Sequence, residues 1–182
     1  MDFETLLEWR KANYDIFMTA KENGKRAGGI TIIPIVESVI LSIIDDKIKE
    51  KDIPTWSIKK WTDQNLAVYI PSISVTHTGD IQKDRERGLY IIRNTIRWAF
   101  SLDKLHDIKK WYAIAASEEG EKLLKHLGFR KIENAKTNSY ILDSIKDATY
   151  PIRSFLEALD QQKEVPIPPE RKRRGKIKLQ ES

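Results

Sequence analysis

The chain has 182 residues, of which 40% are hydrophobic and 32% are charged, and its formal net charge is +5. This balance is typical of one soluble globular domain and argues against global disorder. The sequence contains no cysteine, which excludes disulfides, thiolate metal sites and a cysteine nucleophile. The chain does not open with a basic segment before an apolar run, and no apolar stretch reaches the ~20 residues of a membrane span, so we expect a cytoplasmic protein.

The N-terminal part predicts a short helix, a β-hairpin and a longer helix. Apolar residues within positions 1–14 indicate one short helix. The segments Asp15–Thr19 and Gly29–Ile35 flank Glu22-Asn23-Gly24-Lys25, and Asn-Gly tolerates the positive φ of a tight hairpin turn. From Val36 to Lys49 the apolar residues recur every three or four positions, which is typical of a helix that packs one face on a core.

The middle of the chain predicts a strand, a loop and a helix. Leu66–Val75 is rich in β-branched and aromatic residues, so we expect a strand in which Pro71 forces a bulge or a break in the hydrogen-bond ladder. A polar loop, Thr76–Arg87, follows. Gly88–Leu102 then carries an apolar stripe that indicates a helix.

The segments after this helix predict one more helix and the last strands of a sheet. We expect a strand at Trp111–Ala116 and a helix at Glu118–Leu127, which Gly128 ends. Two further strands are predicted at Phe129–Ile132 and Ser139–Leu142. Strands that alternate with helices, together with the early hairpin, predict an α/β (α+β) protein with a mixed sheet.

The C-terminal part predicts a helix and a basic tail. Pro151–Gln162 begins with proline, as many helices do, so we place the domain at residues 1–162 and the tail at residues 163–182. The tail holds seven basic and three acidic residues. Such charge is suited to RNA, DNA or an acidic partner, and it is also typical of a disordered, solubilising segment.

One segment between the predicted strand and helix has the composition of an anion site. In Arg85-Glu86-Arg87-Gly88 the glycine allows a ligand to approach the backbone, and free N–H groups at a helix start attract an anion. This arrangement suits a phosphate or a pyrophosphate, although arginines beside one glycine are also found in ordinary solvated turns.

The order of elements and two sequence patterns carry a family resemblance. From Leu66 to Ile132 the chain resembles the acetyl-CoA-binding core of the GNAT-superfamily N-acetyltransferases. The family pattern Q/R-x-x-G-x-G/A is matched by Arg85 and Gly88, with Tyr90 in place of the second small residue. The second pattern, N-x-x-A-x-x-L-Y-x-x-x-G-F, is matched at Leu123, Gly128 and Phe129, while Ser117 and Leu124 replace its asparagine and tyrosine.

The resemblance implies a GNAT-like mixed, mostly antiparallel central sheet flanked by helices, with a splayed strand pair that binds acetyl-CoA. In the family, backbone groups of the splayed strand pair with the pantetheine arm, and the following loop binds the pyrophosphate. The cofactor-binding residues implied in this sequence are Ile73, Ser74, Val75, Arg85, Arg87, Gly88, Leu89, Tyr90 and Ser117.

The implied activity is transfer of an acetyl group from acetyl-CoA to a primary amine, on a small molecule or a protein, by direct attack in a ternary complex and without a metal. The missing tyrosine leaves His77, Tyr90 and Tyr112 as candidate proton donors. The candidate bases are His77, Asp80 and Glu37. The histidine is preferred because an unperturbed imidazole, with a pKa of ~6.5, exchanges protons readily near neutral pH.

The sequence also leaves a second function and several partners open. A catalytically weakened GNAT-like binding module is the alternative to an enzyme. The family's first strand is missing here, so a second copy or a partner chain is a candidate to complete the sheet. Trp56 and Trp61, beside Lys59 and Lys60, are candidates for an acceptor wall or a nucleic-acid contact, or simply for packing.

Overall fold

The computed structural model of the protein describes residues 3–143, so the predicted helix Pro151–Gln162 and the basic tail lie outside the described residues. The helices are α1 (Phe3–Ala12), α2 (Glu37–Ile44), α3 (Ile81–Leu105) and α4 (Glu118–His126). The strands are β1 (Phe17–Glu22), β2 (Lys25–Pro34), β3 (Leu66–Val75), β4 (Ile108–Ile114), β5 (Arg130–Lys131) and β6 (Ser139–Leu142). Two short 3-10 turns, Glu50–Asp52 and Thr55–Ser57, lie between α2 and β3.

The strands form one six-stranded sheet in the order β1-β2-β3-β4-β6-β5. Only β3 and β4 are parallel, and each of the other neighbouring pairs is antiparallel. The parallel pair requires a crossover, which α3 supplies. The predicted α/β class and the mixed, mostly antiparallel sheet are therefore confirmed.

Helices cover both faces of the sheet. Trp111 and Tyr112 are successive residues of β4 and therefore point to opposite faces. The Trp111 indole donates to Asp103 of α3 at 3.4 Å, whereas the Tyr112 hydroxyl donates to Glu37 of α2 at 2.5 Å. Thus α2 and α3 lie on opposite faces of the sheet.

The core is built mainly from isoleucine on β2 and α2 and from large aromatic side chains. Trp9 of α1 is buried and its indole donates to the Ile53 carbonyl at 3.4 Å. Trp61 is also buried, donates to the Asp15 carbonyl at 3.1 Å and stacks on His106. Trp61 therefore has the packing role, while Trp56 is 73% exposed.

The hairpin is confirmed, but the helix after it is shorter than predicted. Asn23 and Gly24 have φ of 50° and 78°, the backbone of the expected tight turn. Helix α2 ends at Ile44 rather than Lys49, because Asp46 adopts a left-handed φ of 56° that a continuing helix excludes.

The predicted start of α3 at Gly88 is wrong, since the helix begins at Ile81. Asp80 is its N-cap, and its carboxylate accepts from the N–H groups of Gln82 and Lys83 at 2.9 and 3.1 Å. A capping aspartate satisfies N–H groups that the first turn leaves unpaired. The segment predicted as the end of a loop is consequently helical, and α3 continues to Leu105.

Candidate functional site: the gap between β3 and β4

Strand β3 contains the bulge that its proline predicted. Along β2 and β3 the pairing runs from Tyr69 opposite Ile33 to Ser72 opposite Thr31. Between these two pairs lie two residues of β3, Ile70 and Pro71, but only one residue of β2, so one of the two is the extra residue of a bulge. The bulge changes which residues of β3 face β2 on either side of it.

Strands β3 and β4 separate directly above the bulge. Their pairing begins at Leu66 and ends where Ile70 lies opposite Ala113. Strand β4 continues only to Ile114, whereas β3 continues to Val75. Within residues 3–143, positions 71–75 of β3 therefore have no partner strand on the side of β4, and a gap opens there.

Backbone groups of Ile73 and Val75 face this gap. The Thr76 N–H donates to the Ala27 carbonyl of the β2 side at 2.9 Å, and in an antiparallel pair alternate residues bond to the partner. Ser74 is in phase with Thr76, so its backbone faces β2, and its hydroxyl donates to the Gly29 carbonyl at 3.3 Å. The geometry needed for a backbone contact is thus present at Ile73 and Val75, not at Ser74.

Helix α3 lies over the open end of β3 with Gly88 against Val75. A Cβ built at Gly88 would meet only Val75 Cγ2, at 3.9 Å. Two residues along, Tyr90 is about 200° around the helix and lines a separate cavity of about 290 Å³ with Ala20 and Lys21 of β1. The tyrosine that departs from the family pattern therefore does not narrow the gap, and it is badly placed as a proton donor there.

The sequence pattern expected to bind pyrophosphate does not form a helix start. Gly88 lies seven residues beyond Ile81, where helical N–H groups are already bonded to carbonyls. The expectation that free N–H groups at this glycine face an anion is therefore wrong. Arg85, one turn before Gly88, is exposed and makes no hydrogen bond or ion pair within the described part of the chain.

Arg87 and Leu89 differ from Arg85 in what surrounds them. The Arg87 guanidinium binds the Glu22 carboxylate of β1 and donates to the Thr76 carbonyl at 2.9 Å. The hydrogen bond from Arg87 to the Glu22 carboxylate lowers the pKa of Glu22 below its usual range. Arg87 therefore ties the hairpin to α3, while the Leu89 side chain is 48% exposed on the outside of the helix.

The far side of the gap is formed by the turn from β4 into α4. Ser117 caps α4, and its hydroxyl accepts from the Gly120 N–H at 3.1 Å. The start of α4 lies close to the end of β4, because a Cβ built at Gly120 would be only 4.0 Å from Ala115. Leu124 is 9% exposed in the core, so the position of the missing tyrosine is filled by packing.

Tyr112 is the proton-donor candidate that lies beside the gap. It precedes Ala113, the last residue of β4 that pairs with β3, and is 2% exposed. Its hydroxyl shares Glu37 Oε1 with Lys110, whose ammonium lies 2.7 Å from that oxygen. Burial, with the bond to Glu37, raises the pKa of Tyr112, and the bonds from Lys110 and then Tyr112 lower the pKa of Glu37.

The other candidate acid and bases are engaged at the start of α3. The His77 side chain is 85% exposed and its Nδ1 lies 3.2 Å from Asp84. Asp84 also accepts from the Thr78 N–H and hydroxyl, and the hydroxyl bond lowers its pKa. Asp80 caps the helix. Among residues 3–143 there is no group of three His, Asp or Glu residues that could hold a metal ion.

Sequence reasoning missed a second carboxylate beside the gap. Tyr69 lies opposite Tyr112 on β3, is fully buried, and its hydroxyl donates to Glu50. Glu37 and Glu50 both belong to the segment between β2 and β3. Both tyrosines lie in segments that the sequence predicts as strands, but no spacing rule indicates that they are neighbours or which carboxylates reach them.

Three features together define the architecture, namely the bulge in β3, the crossover helix α3 and the separation of the parallel strands β3 and β4. The fold is GNAT-like. No protein-family model matches the sequence, and no curated protein matches it significantly. No helix among the described residues has the length and apolar composition needed to cross a membrane.

Among solved structures, the chain is similar at low identity to GNAT-fold acetyltransferases. One is AtaTR bound with acetyl-CoA, at 15% identity and a TM-score of 0.48 over 83% of this chain and 80% of that one. Another is the KacTA–DNA complex, at 12% identity and 0.46 over 85% and 86%. A third is FeeM, an N-acyl amino acid synthase from uncultured soil microbes, at 9% identity and 0.43 over 76% and 74%. Each likeness is too distant to argue function, which rests on the gap itself.

Proposed function

We propose that the protein is an acyltransferase that moves an acetyl group from acetyl-CoA to a primary amine. The observation that carries this proposal is the free backbone edge of Ile73 and Val75 beside the gap. The pantetheine arm of CoA contains two amides, which can pair with such an edge as an added strand does. The extended, peptide-like arm and the edge are chemically complementary.

The walls of the gap fit the rest of the donor. Gly88 lies against Val75, and a Cβ built there would stand 3.9 Å from Val75 Cγ2, so the helix presents no side chain of its own beside the strand end where a phosphorylated chain would run. Arg85 is exposed on the same helix and has no partner among residues 3–143, and a guanidinium is well suited to phosphate. These residues would hold the donor in the direction in which β3 and β4 diverge.

When bound, acetyl-CoA supplies a thioester that an amine attacks directly, and the CoA thiolate leaves. The chain's part is to align the two reactants, a contribution that often dominates such transfers. A backbone N–H near Val75 that faces the gap closer to the bulge, such as that of Ile73, would polarise the carbonyl oxygen. The amine proton passes to solvent or to a base, and the leaving thiolate takes a proton from solvent, because Tyr112 holds its own proton tightly against Glu37.

A binding module without turnover is the second candidate. It is favoured by one observation, namely that Leu124 is buried and the Tyr112 hydroxyl is already engaged, so neither position offers a free tyrosine hydroxyl to the leaving thiolate. In that case the protein would bind acetyl-CoA and release no CoA. Three further proposals go with this one: the acceptor amine belongs to a small molecule or a protein, a second copy or a partner chain completes the sheet at β1, and the basic tail contacts nucleic acid or an acidic partner.

Calorimetry with acetyl-CoA, followed by a CoA-release assay against a panel of primary amines, tests both candidates. We expect binding to the wild type and at least tenfold weaker binding to Gly88→Val, because the branched side chain enters the space beside Val75. Leu105→Val, at the exposed C-terminal end of the same helix, is the matched control and should bind normally. Failure of the wild type to bind would overturn the proposal, and binding without release from any amine would favour the module.

A further inference from the structure

One buried hydroxyl of the domain has no hydrogen-bond partner. Thr95 of α3 is 7% exposed, and its Oγ1 is the single buried side-chain polar atom left unpaired among the described residues. A threonine in a helix can bond to the carbonyl four residues earlier, but Thr95 does not. A buried hydroxyl without a partner costs stability, so a group from outside the described chain is a natural partner for it.

Thr95 belongs to the side of α3 that faces the sheet. Gly88, Ile91 and Thr95 are spaced by three and four residues and so share one face of the helix. The first of these lies against Val75, and Ile91 lies where a side chain on Gly28 of β2 would stand. Further along, Asp103 accepts from the indole of Trp111 on β4 at 3.4 Å. The helix thus crosses from β2 over β3 to β4, and Thr95 lies between these contacts.

The level of Thr95 along the sheet is that of the bulge. Helix α3 runs antiparallel to β3, since it returns the chain to the start of a parallel strand. Seven residues from Gly88 to Thr95 advance it by roughly 10 Å at ~1.5 Å per residue. The same distance is about three residues of strand at ~3.3 Å each, which leads from Val75 to Ser72, next to the bulge where β3 and β4 separate.

We infer that Thr95 Oγ1 forms a hydrogen bond with the pantetheine arm of the acyl donor, at the inner end of the gap. The inference rests on the proposed function and adds a positioning residue to it. A hydroxyl both donates and accepts, so it can bond to either polar atom of an amide whose other groups pair with Ile73 and Val75. Thr95 would hold the inner part of the arm, far from the nucleotide.

Thr95→Val tests this role, because valine has nearly the shape of threonine and lacks the hydroxyl. We expect acetyl-CoA to bind about five- to tenfold more weakly, the effect of one hydrogen bond. The affinity for 3′,5′-ADP, which carries only the nucleotide end of the donor, should not change. Without ligand the variant should melt at the same or a higher temperature, since an unpaired buried polar atom has been removed.

Two controls separate the hydroxyl from its surroundings. Thr95→Ser keeps the hydroxyl and should keep most of the affinity, whereas Thr19→Val makes the same exchange at an exposed position of β1 and should change nothing. Equal binding by wild type and Thr95→Val, or equal weakening for acetyl-CoA and 3′,5′-ADP, would overturn the role of Thr95 alone. A wild type that binds neither ligand would overturn the proposed function and this inference together.

Discussion

At the scale of single residues, Tyr112 illustrates how a neighbouring carboxylate alters what a hydroxyl can do. Its proton is held by Glu37, and burial raises its pKa, so it is a weaker acid than a free tyrosine. We expect Tyr112→Phe to lower the rate of CoA release by less than tenfold, against ~10²–10⁴ for loss of a true general acid. Tyr69→Phe, the neighbour opposite it on β3, is the control. A hundredfold loss confined to Tyr112→Phe would assign the missing proton donor to this residue.

Glu121 of α4 gives the stability of the domain a defined dependence on pH. Hydrogen bonds from Lys125, then Asn138 and Tyr140, lower its pKa to about 2, below the ~4.3 of an unfolded glutamate. Its stabilising effect is therefore complete above the unfolded pKa and is lost as pH falls towards 2.

This dependence is measurable from the melting temperatures of wild type and Glu121→Gln at several pH values. We expect the wild type to melt higher at pH 7 and the difference to shrink between about pH 4 and 2, where the carboxylate takes up its proton. Glu118→Gln, whose side chain is 86% exposed, should show little difference at any pH. A difference for Glu121→Gln that persists at low pH would contradict the origin of the effect in this ionisation.

At the scale of elements, the start of α3 depends on one cap. Asp80→Ala removes the acceptor of two N–H groups and should cost about 1 kcal/mol of unfolding free energy in urea. Amide exchange should become faster in the first turn, residues 81–84, and remain slow around Thr95. Asp80→Asn keeps an acceptor oxygen and should behave like the wild type. An alanine variant as stable as the wild type would show that packing, not the cap, sets where the helix begins.

The same helix shows where prediction from sequence reaches its limit. The first turns of α3 are mostly charged and polar, and residues 81–86 are almost all exposed, so they resemble a solvated loop in everything but the Asp80 cap. The apolar Leu89 is 48% exposed, while Ile91 and the polar Thr95 are buried. A glycine and a threonine on the packed face weaken the apolar period, so the pattern indicated a helix but not its start or its inner face.

At the scale of the whole molecule, much of the sheet was predictable and the side-chain partners were not. Strand β3 was predicted with its observed ends and its bulge, because β-branched residues and Pro71 act locally. The ion pair between Glu22 and Arg87 and the bond between Glu37 and Tyr112 join residues 65 and 75 positions apart. Such contacts depend on the tertiary arrangement, and no local pattern specifies them.

The bulge in β3 has a consequence that concerns counting rather than chemistry. The one extra residue at Ile70 or Pro71 shifts the alternation of the strand by one position, and so decides which backbone groups face the gap from there to Val75. In a regular strand of the same length, alternation from Tyr69 would turn Ile73 and Val75 towards β2, with Ser72 and Ser74 towards the gap. Two chains with identical residues here, one bulged and one regular, would therefore offer opposite sets of hydrogen-bonding groups to the same ligand.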